Sequence, residues 1–163
     1  MQIVIRPSQS SNIDDILEVF SQPQVQAQTL QLPNPSRALW ESRLGNVPAG
    51  VYSYVAEVEG KVVGQLGFEH NQRPRKLHCA TFGVGVHDNY HGLGIGSKLI
   101  ETAIDLADNW LQVKRIEIDV NANNERAIQC YKKFGFEVEG TAKGASFRDG
   151  QHVDTLYMAR VTF

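Results

Sequence analysis

Between residues 91 and 97 the chain reads His91-Gly92-Leu93-Gly94-Ile95-Gly96-Ser97. Glycines in such a run let the backbone approach a ligand closely and aim free N–H groups at it. From Ser97 to Leu111 an amphipathic pattern follows, so the glycines open a helix, and its dipole adds partial positive charge at the same place. A turn of this kind suits a phosphate or pyrophosphate, and its plainer alternative is a helix cap. Two familiar nucleotide patterns do not fit. GxxxxGK[ST] requires Gly-Lys, whereas Gly96 is followed by Ser97-Lys98. GxGxxG requires a sixth-position glycine, and Ser97 stands there. Asp119 lies near the end of the next strand, where a ribose-binding acid would sit, yet no second nucleotide-binding half follows that unit.

Tyr131 is a second candidate for chemistry, although Ile128, Tyr131 and Phe134 are also spaced as the core stripe of a helix. Asp119 and Glu69 both fall at strand ends, where acids are commonly solvated. His87 and His91 have i,i+4 spacing but lie in a turn, and with His78 they reach no recognisable ligand set, so no metal is expected. The two cysteines, Cys79 and Cys130, fit no CxxC or zinc-finger spacing and read as reduced thiols.

The elements that must position these residues follow from periodicity. A strand ends near Arg6 and leads to a helix over Asp14–Phe20, with Ser11 or Asn12 as its cap. The polar, proline-bearing segment Gln22–Pro35 reads as a loop. Pro35-Ser36 opens a helix through Leu44, with Leu39, Trp40 and Leu44 on one face. Strands at Tyr52–Val58 and Lys61–Glu69 meet at a Glu59-Gly60 hairpin, and a basic loop over Gln72–Lys76 precedes a strand over Leu77–Val86. In the helix over Ser97–Leu111, Leu99, Ile100, Ala103, Ile104, Leu106, Ala107 and Trp110 form a broad stripe. A strand over Arg115–Val120, a helix over Asn124–Phe134 stopped by Gly135, and strands near Phe136–Lys143 and His152–Val161 complete the chain. One strand–helix–strand unit between antiparallel hairpins predicts a mixed sheet with helices on it.

The ordered run Val84-Gly85-Val86, His91-x-x-Gly94-x-Gly96 and Asn124-x-x-Ala127-Ile128-x-x-Tyr131-x-x-x-Gly135-Phe136 resembles the GNAT superfamily of N-acetyltransferases. That superfamily carries a Q/R-x-x-G-x-G/A pyrophosphate loop and a later N-x-x-A-x-x-x-Y-x-x-x-G-F signature. In element order the resemblance runs from about Tyr52 to the C-terminus. It implies a single domain over residues 1–163, α/β of the α+β type, with a mostly antiparallel mixed sheet of about seven strands and four flanking helices. It implies acetyl-CoA as cosubstrate. The backbone of Val84, Gly85 and Val86 would meet the pantetheine arm, and Gly92, Leu93, Gly94, Ile95, Gly96 and Ser97 would cradle the pyrophosphate. His91 replaces the usual Gln or Arg, which costs one side-chain contact. Lys98, Arg126, Lys132 and Lys133 are candidates for the ribose phosphate, or else solvated helix charges. Asn124 would bond the arm, cap its helix, or both.

By the same resemblance Tyr131 protonates the departing thiolate as general acid. Asp119, five residues before Asn124, matches the base of enzymes acetylating ribosomal-protein N-termini, and Glu69 is the other candidate. Val86 N–H would polarise the thioester oxygen in a direct transfer without a covalent enzyme intermediate. Position suggests Leu30, Gln31, Trp40 and Phe68 as acceptor-pocket residues. More narrowly, Thr29-Leu30-Gln31, Gln72-Arg73-Pro74-Arg75, Asp108-Asn109-Trp110-Leu111 and Tyr157-Met158-Ala159-Arg160 resemble bacterial L-amino-acid N-acetyltransferases, which take substrates such as phenylalanine and methionine. A free α-amine is therefore the first expectation for the acceptor. A protein N-terminus, polyamine or antibiotic amine is the alternative, and a silent acyl-CoA sensor is the rival from another class.

Composition sets the outer bounds. The chain has 163 residues, 42% hydrophobic and 21% charged, as in an ordinary globular domain. A net charge of -2 gives no reason to expect nucleic acid as a partner. No apolar run would span a bilayer, and the alternating start Met1–Arg6 is unlike a signal peptide, so no membrane association and a cytoplasmic location are expected. The sequence leaves the oligomeric state open, and the resemblance allows a homodimer.

Overall fold

The computed structural model describes residues 1–163. Strands β1 (Ile3–Pro7), β2 (Val51–Val58), β3 (Lys61–His70), β4 (Cys79–Val86), β5 (Arg115–Asn121), β6 (Glu137–Arg148) and β7 (Gln151–Val161) form one sheet in the order β1-β2-β3-β4-β5-β7-β6. Only β4 and β5 run parallel, and every other neighbouring pair is antiparallel. This is the mixed, mostly antiparallel sheet expected from a lone strand–helix–strand unit among hairpins. The Glu59-Gly60 hairpin has positive φ at both turn residues, 51° and 80°, as a tight twist-matching turn requires.

Helices α1 (Ile13–Phe20), α2 (Pro23–Gln28) and α3 (Arg37–Gly45) cover one face of the sheet, and α4 (Ile95–Asp105) and α5 (Glu125–Lys133) belong to the other. Ile13, Ile16, Val19, Phe20, Val25 and Trp40 pack with Val55 and Val62 in the smaller core. The larger core joins Leu99, Ile100 and Ala103 of α4 and Ile128 of α5 to Val63, Leu66, Phe68, Ile116 and Ile118 of the sheet. Alternation along each strand divides the side chains between the two layers.

Several local expectations are corrected. Gln22–Pro35 is not all loop, because Pro23 occupies the first turn of α2, where its missing N–H costs nothing. Val25, 4% exposed, ties that short helix to the core despite its glutamines. Asn12 precedes α1 but does not cap it, since its Oδ1 accepts from Gln9 N–H at 2.8 Å and from Arg6 at 3.0 Å. Leu39 is exposed while Trp40 is buried, so α3 turns a narrower face inward than its leucines suggest. The helix after the glycines begins at Ile95 and ends in a π turn, Leu106–Trp110, which leaves Trp110 exposed rather than in the stripe. The wide turn brings Asp108 to Arg160 of β7, where both carboxylate oxygens accept guanidinium bonds of 2.9 Å.

Phe68 is fully buried in the larger core, edge-on to Tyr52 at 6.2 Å between ring centroids. Truncation of Phe68 to alanine is expected to cost about 3–5 kcal/mol. Urea unfolding would show it as a lower midpoint at unchanged slope.

Candidate active site

Parallel pairing of β4 with β5 covers only Cys79–Thr81 against Arg115–Glu117. Beyond it the strands part, β4 staying with β3 and β5 with β7. The register shows which backbone groups this exposes. Asn71 N–H donates to Cys79 O and His87 N–H to Val63 O, with unbroken antiparallel register between them. Odd-numbered residues of β4 therefore bond to β3, and the N–H and C=O of Val84 and Val86 turn toward the gap. Val86 O is taken by the His91 ring, with Nε2 at 2.8 Å. Val84 N–H, Val84 O and Val86 N–H are left able to pair with an extended chain laid along β4.

At the end of β4 the glycine loop is fixed from below. His87 is 5% exposed, its Nδ1 accepts from Asn89 N–H at 3.1 Å, and its Nε2 lies 3.2 Å from Glu18 of α1. Lys61 also meets Glu18 at 2.6 Å and, by that hydrogen bond, holds its carboxyl below the usual carboxylate range. Gly92 and Gly94 have φ of 78° and 83°, a conformation side-chain-bearing residues resist. Gly94 is the N-cap of α4, with no side chain capping it and no acid in the first turn. Lys98 N–H is the first to bond back, to Gly94 O, which leaves the N–H groups of Ile95, Gly96 and Ser97 free at the positive end of the helix. Arg126 brings a guanidinium nitrogen to 3.8 Å from where a Cβ on Gly92 would stand. These features fit the pyrophosphate of a coenzyme.

Under the gap, on the side of α1–α3, lies a cavity of about 540 Å³. Tyr131, Asp119 and Glu69 line it together, with Leu30, Gln31 and Trp40 at its helical wall. Phe68 does not line it. It points into the opposite core, and its neighbours Gly67 and Glu69 supply the β3 part of the wall. The Tyr131 ring packs at steep angles against Phe82, 6.1 Å between centroids, and Phe136, at 5.6 Å, and Phe82 is the first β4 residue past the paired stretch. Burial, with a smaller contribution from the Cys130 thiol, pushes the Tyr131 hydroxyl up to about 12. It therefore keeps its proton at any ordinary pH. Asp119 opens to the cavity from the face of β5 opposite the core, and its carboxyl is also pushed up, first by desolvation and then by Glu117.

Asn124 caps α5, its Oδ1 accepting from Ala127 N–H at 3.3 Å. The rim of the cavity is tied down by groups the sequence pattern did not single out. Asn121 Nδ2 donates to Ala27 O at 3.0 Å and to Gln28 at 3.3 Å, and Arg148 of β6 reaches the same carbonyl. These bonds hold the end of α2, and so the segment after it that carries Thr29, Leu30 and Gln31, over the gap. They join residues more than 90 positions apart, and polar side chains on a strand end and a hairpin carry no pattern that announces them. Of the segments with the narrower resemblance, Thr29–Gln31 and Tyr157 reach the cavity, whereas Asp108 and Arg160 pair with each other.

No group of three or more His, Cys, Asp or Glu side chains is placed to hold a metal ion, and no helix is long and apolar enough to cross a membrane. Over residues 13–136 the chain matches the model of the Acetyltransferase (GNAT) family. It is 44% identical over 160 residues to the L-amino acid N-acetyltransferase AaaT of Escherichia coli K12, covering 98% of each chain. It also resembles the spermidine N(1)-acetyltransferase of the same organism, at 29% identity over 64% of this chain and 55% of that protein. Among solved structures, the ribosomal-protein-alanine N-acetyltransferase of Brucella melitensis superposes with a TM-score of 0.86 at 25% identity, over 97% of this chain and 99% of the other. The phosphinothricin acetyltransferase of Sinorhizobium meliloti, solved in complex with acetyl-CoA, does so with a TM-score of 0.86 at 21% identity, over 99% and 89%. With its parted strands, glycine-capped helix and tyrosine-lined cavity, the chain belongs to the GNAT family of acetyltransferases.

Proposed function

We propose that the chain acetylates the α-amine of a free L-amino acid, with acetyl-CoA as donor, by direct transfer in a ternary complex. The carrying observation is that one cavity joins Tyr131, Asp119 and Glu69 to the gap bearing the free backbone of β4. The acceptor class rests on the likeness to the Escherichia coli L-amino acid N-acetyltransferase. The location in this reading is cytoplasmic, in keeping with two free thiols.

Val84 pairs by its backbone with the pantetheine arm, and the amides of Ile95, Gly96 and Ser97 bind the pyrophosphate, with Arg126 beside them. Gly92 and Gly94 give that loop its shape, and His91 serves it by closing the turn onto Val86 rather than by contacting the coenzyme. Val86 N–H receives the thioester oxygen as negative charge grows on it. Asp119 takes a proton from the incoming ammonium, directly or through water, so that nitrogen can offer its lone pair to the carbonyl carbon. As the new C–N bond forms, the nitrogen sheds its second surplus proton to water, and as the C–S bond breaks Tyr131 gives its proton to the sulfur and regains one from solvent. Its high proton affinity keeps it in the donating form. Asp119 is preferred to Glu69 because burial raises its affinity for the proton it must accept. Thiol release measured against all amino acids, polyamines and N-terminal peptides tests the reading. Turnover confined to polyamines or peptides, or tight coenzyme binding with no thiol release, overturns it.

Tyr131→Phe is expected to lower kcat by about 100-fold while leaving the KM for acetyl-CoA unchanged, since general acid catalysis contributes roughly 10²–10⁴. Steady-state kinetics at saturating acceptor checks this. In the wild type no fall in rate from Tyr131 ionisation is expected below about pH 11, because a hydroxyl pushed up to about 12 is still protonated there.

Asp119→Asn is expected to lower kcat/KM by about 100-fold. Because the Asp119 carboxyl is pushed up, its charged form is gained at higher pH than for an ordinary aspartate. The wild-type rate should therefore rise with pH through a limb above the usual carboxylate range, and that limb should vanish in the variant. A pH–rate profile reads both, and loss of the limb in Glu69→Gln instead would move the role to Glu69.

A further inference from the structure

We propose that Arg43 is the carboxylate-binding residue of the acceptor pocket, an inference that rests on the amino-acid reading given above. The charged side chains lining the cavity are two acids, Glu69 and Asp119, and one cation, Arg43. Arg43 takes part in none of the ion pairs of the molecule. Its guanidinium lies over the Trp40 ring at 4.9 Å from the centroid, and its single hydrogen bond is a long one, 3.5 Å to Gln31 Oε1. Trp40 is itself rigid, 3% exposed and stacked on Phe20 at 5.1 Å. Residues three apart on a helix share a face, so α3 holds Trp40 as a platform and Arg43 upon it.

A guanidinium held over an aromatic ring and paired with no acid has N–H groups to offer to the two oxygens of a carboxylate. A free amino acid carries an ammonium and a carboxylate on one carbon. Arg43 takes the carboxylate, while Glu69 and Asp119 draw the ammonium toward Tyr131 and the gap. A polyamine brings only positive charge to Arg43 and gains nothing there. Arg148, at the rim, is engaged with Ala27 O and Gln28, and Arg73 and Lys76 line a neighbouring cavity with His70 and Cys79 rather than this one.

Kinetics with L-phenylalanine, L-phenylalaninamide and phenethylamine test the proposal. The wild type should prefer the acid over both neutral-ended amines. In Arg43→Gln the KM for L-phenylalanine should rise roughly 10- to 100-fold, the span of one charged hydrogen-bonding contact. The preference over the amide should collapse, with the KM for acetyl-CoA unmoved, and Arg43→Lys should restore part of it. A preference unchanged in Arg43→Gln, or lost in Arg73→Gln instead, overturns the proposal. A wild type that acetylates no free amino acid overturns the amino-acid reading itself, and this inference with it.

Discussion

Two parallel strands that pair for only three residues and then separate govern the rest of the site. Backbone N–H and C=O groups left open inside a sheet are costly unless something satisfies them. Here the cost is confined to one gap, because β3 and β7 continue to hold the outer sides of β4 and β5. Phe82, Tyr131 and Phe136 pack where the strands begin to part, so aromatic contact takes over where hydrogen bonding stops. A ligand able to act as a short added strand completes the sheet, and its far end meets the free amides of α4.

Burial has opposite uses for the two groups assigned proton transfer. It raises the proton affinity of both Tyr131 and Asp119. For a phenol, which is protonated at neutral pH already, that secures the donor form. For a carboxylate, whose ordinary value lies below neutrality, it makes a better proton acceptor. One physical effect thus separates acid from base because their starting points lie on either side of neutrality.

The acceptor side is assembled by contacts between distant parts of the chain. Asn121 and Arg148 pin the end of α2, while Trp40 carries Arg43 on a ring that is itself fixed by Phe20. Asp108 and Arg160, although part of the narrower resemblance, are engaged with each other and hold the π turn against β7. Resemblance in sequence therefore marks both residues that line the cavity and residues that shape the scaffold, and only their surroundings tell them apart.

Element order, the glycine turn and the spacing from Asn124 to Phe136 were readable from residue types alone. Each depends on local rules: alternation, helical periodicity, and the rarity of residues tolerant of positive φ. Those rules placed the glycine turn before α4 and Asp119 toward the end of β5, whereas Tyr131, which they read as part of a core stripe, was singled out by the resemblance. They misjudged Gln22–Pro35, where one buried valine anchors a helix that composition argues against, and Phe68, whose strand parity turns it to the core. Tertiary structure alone decided where β4 and β5 part, how His91 closes the loop, and which cation enters the cavity. These outcomes depend on register and on contacts across the fold, and no short-range pattern in the chain encodes them.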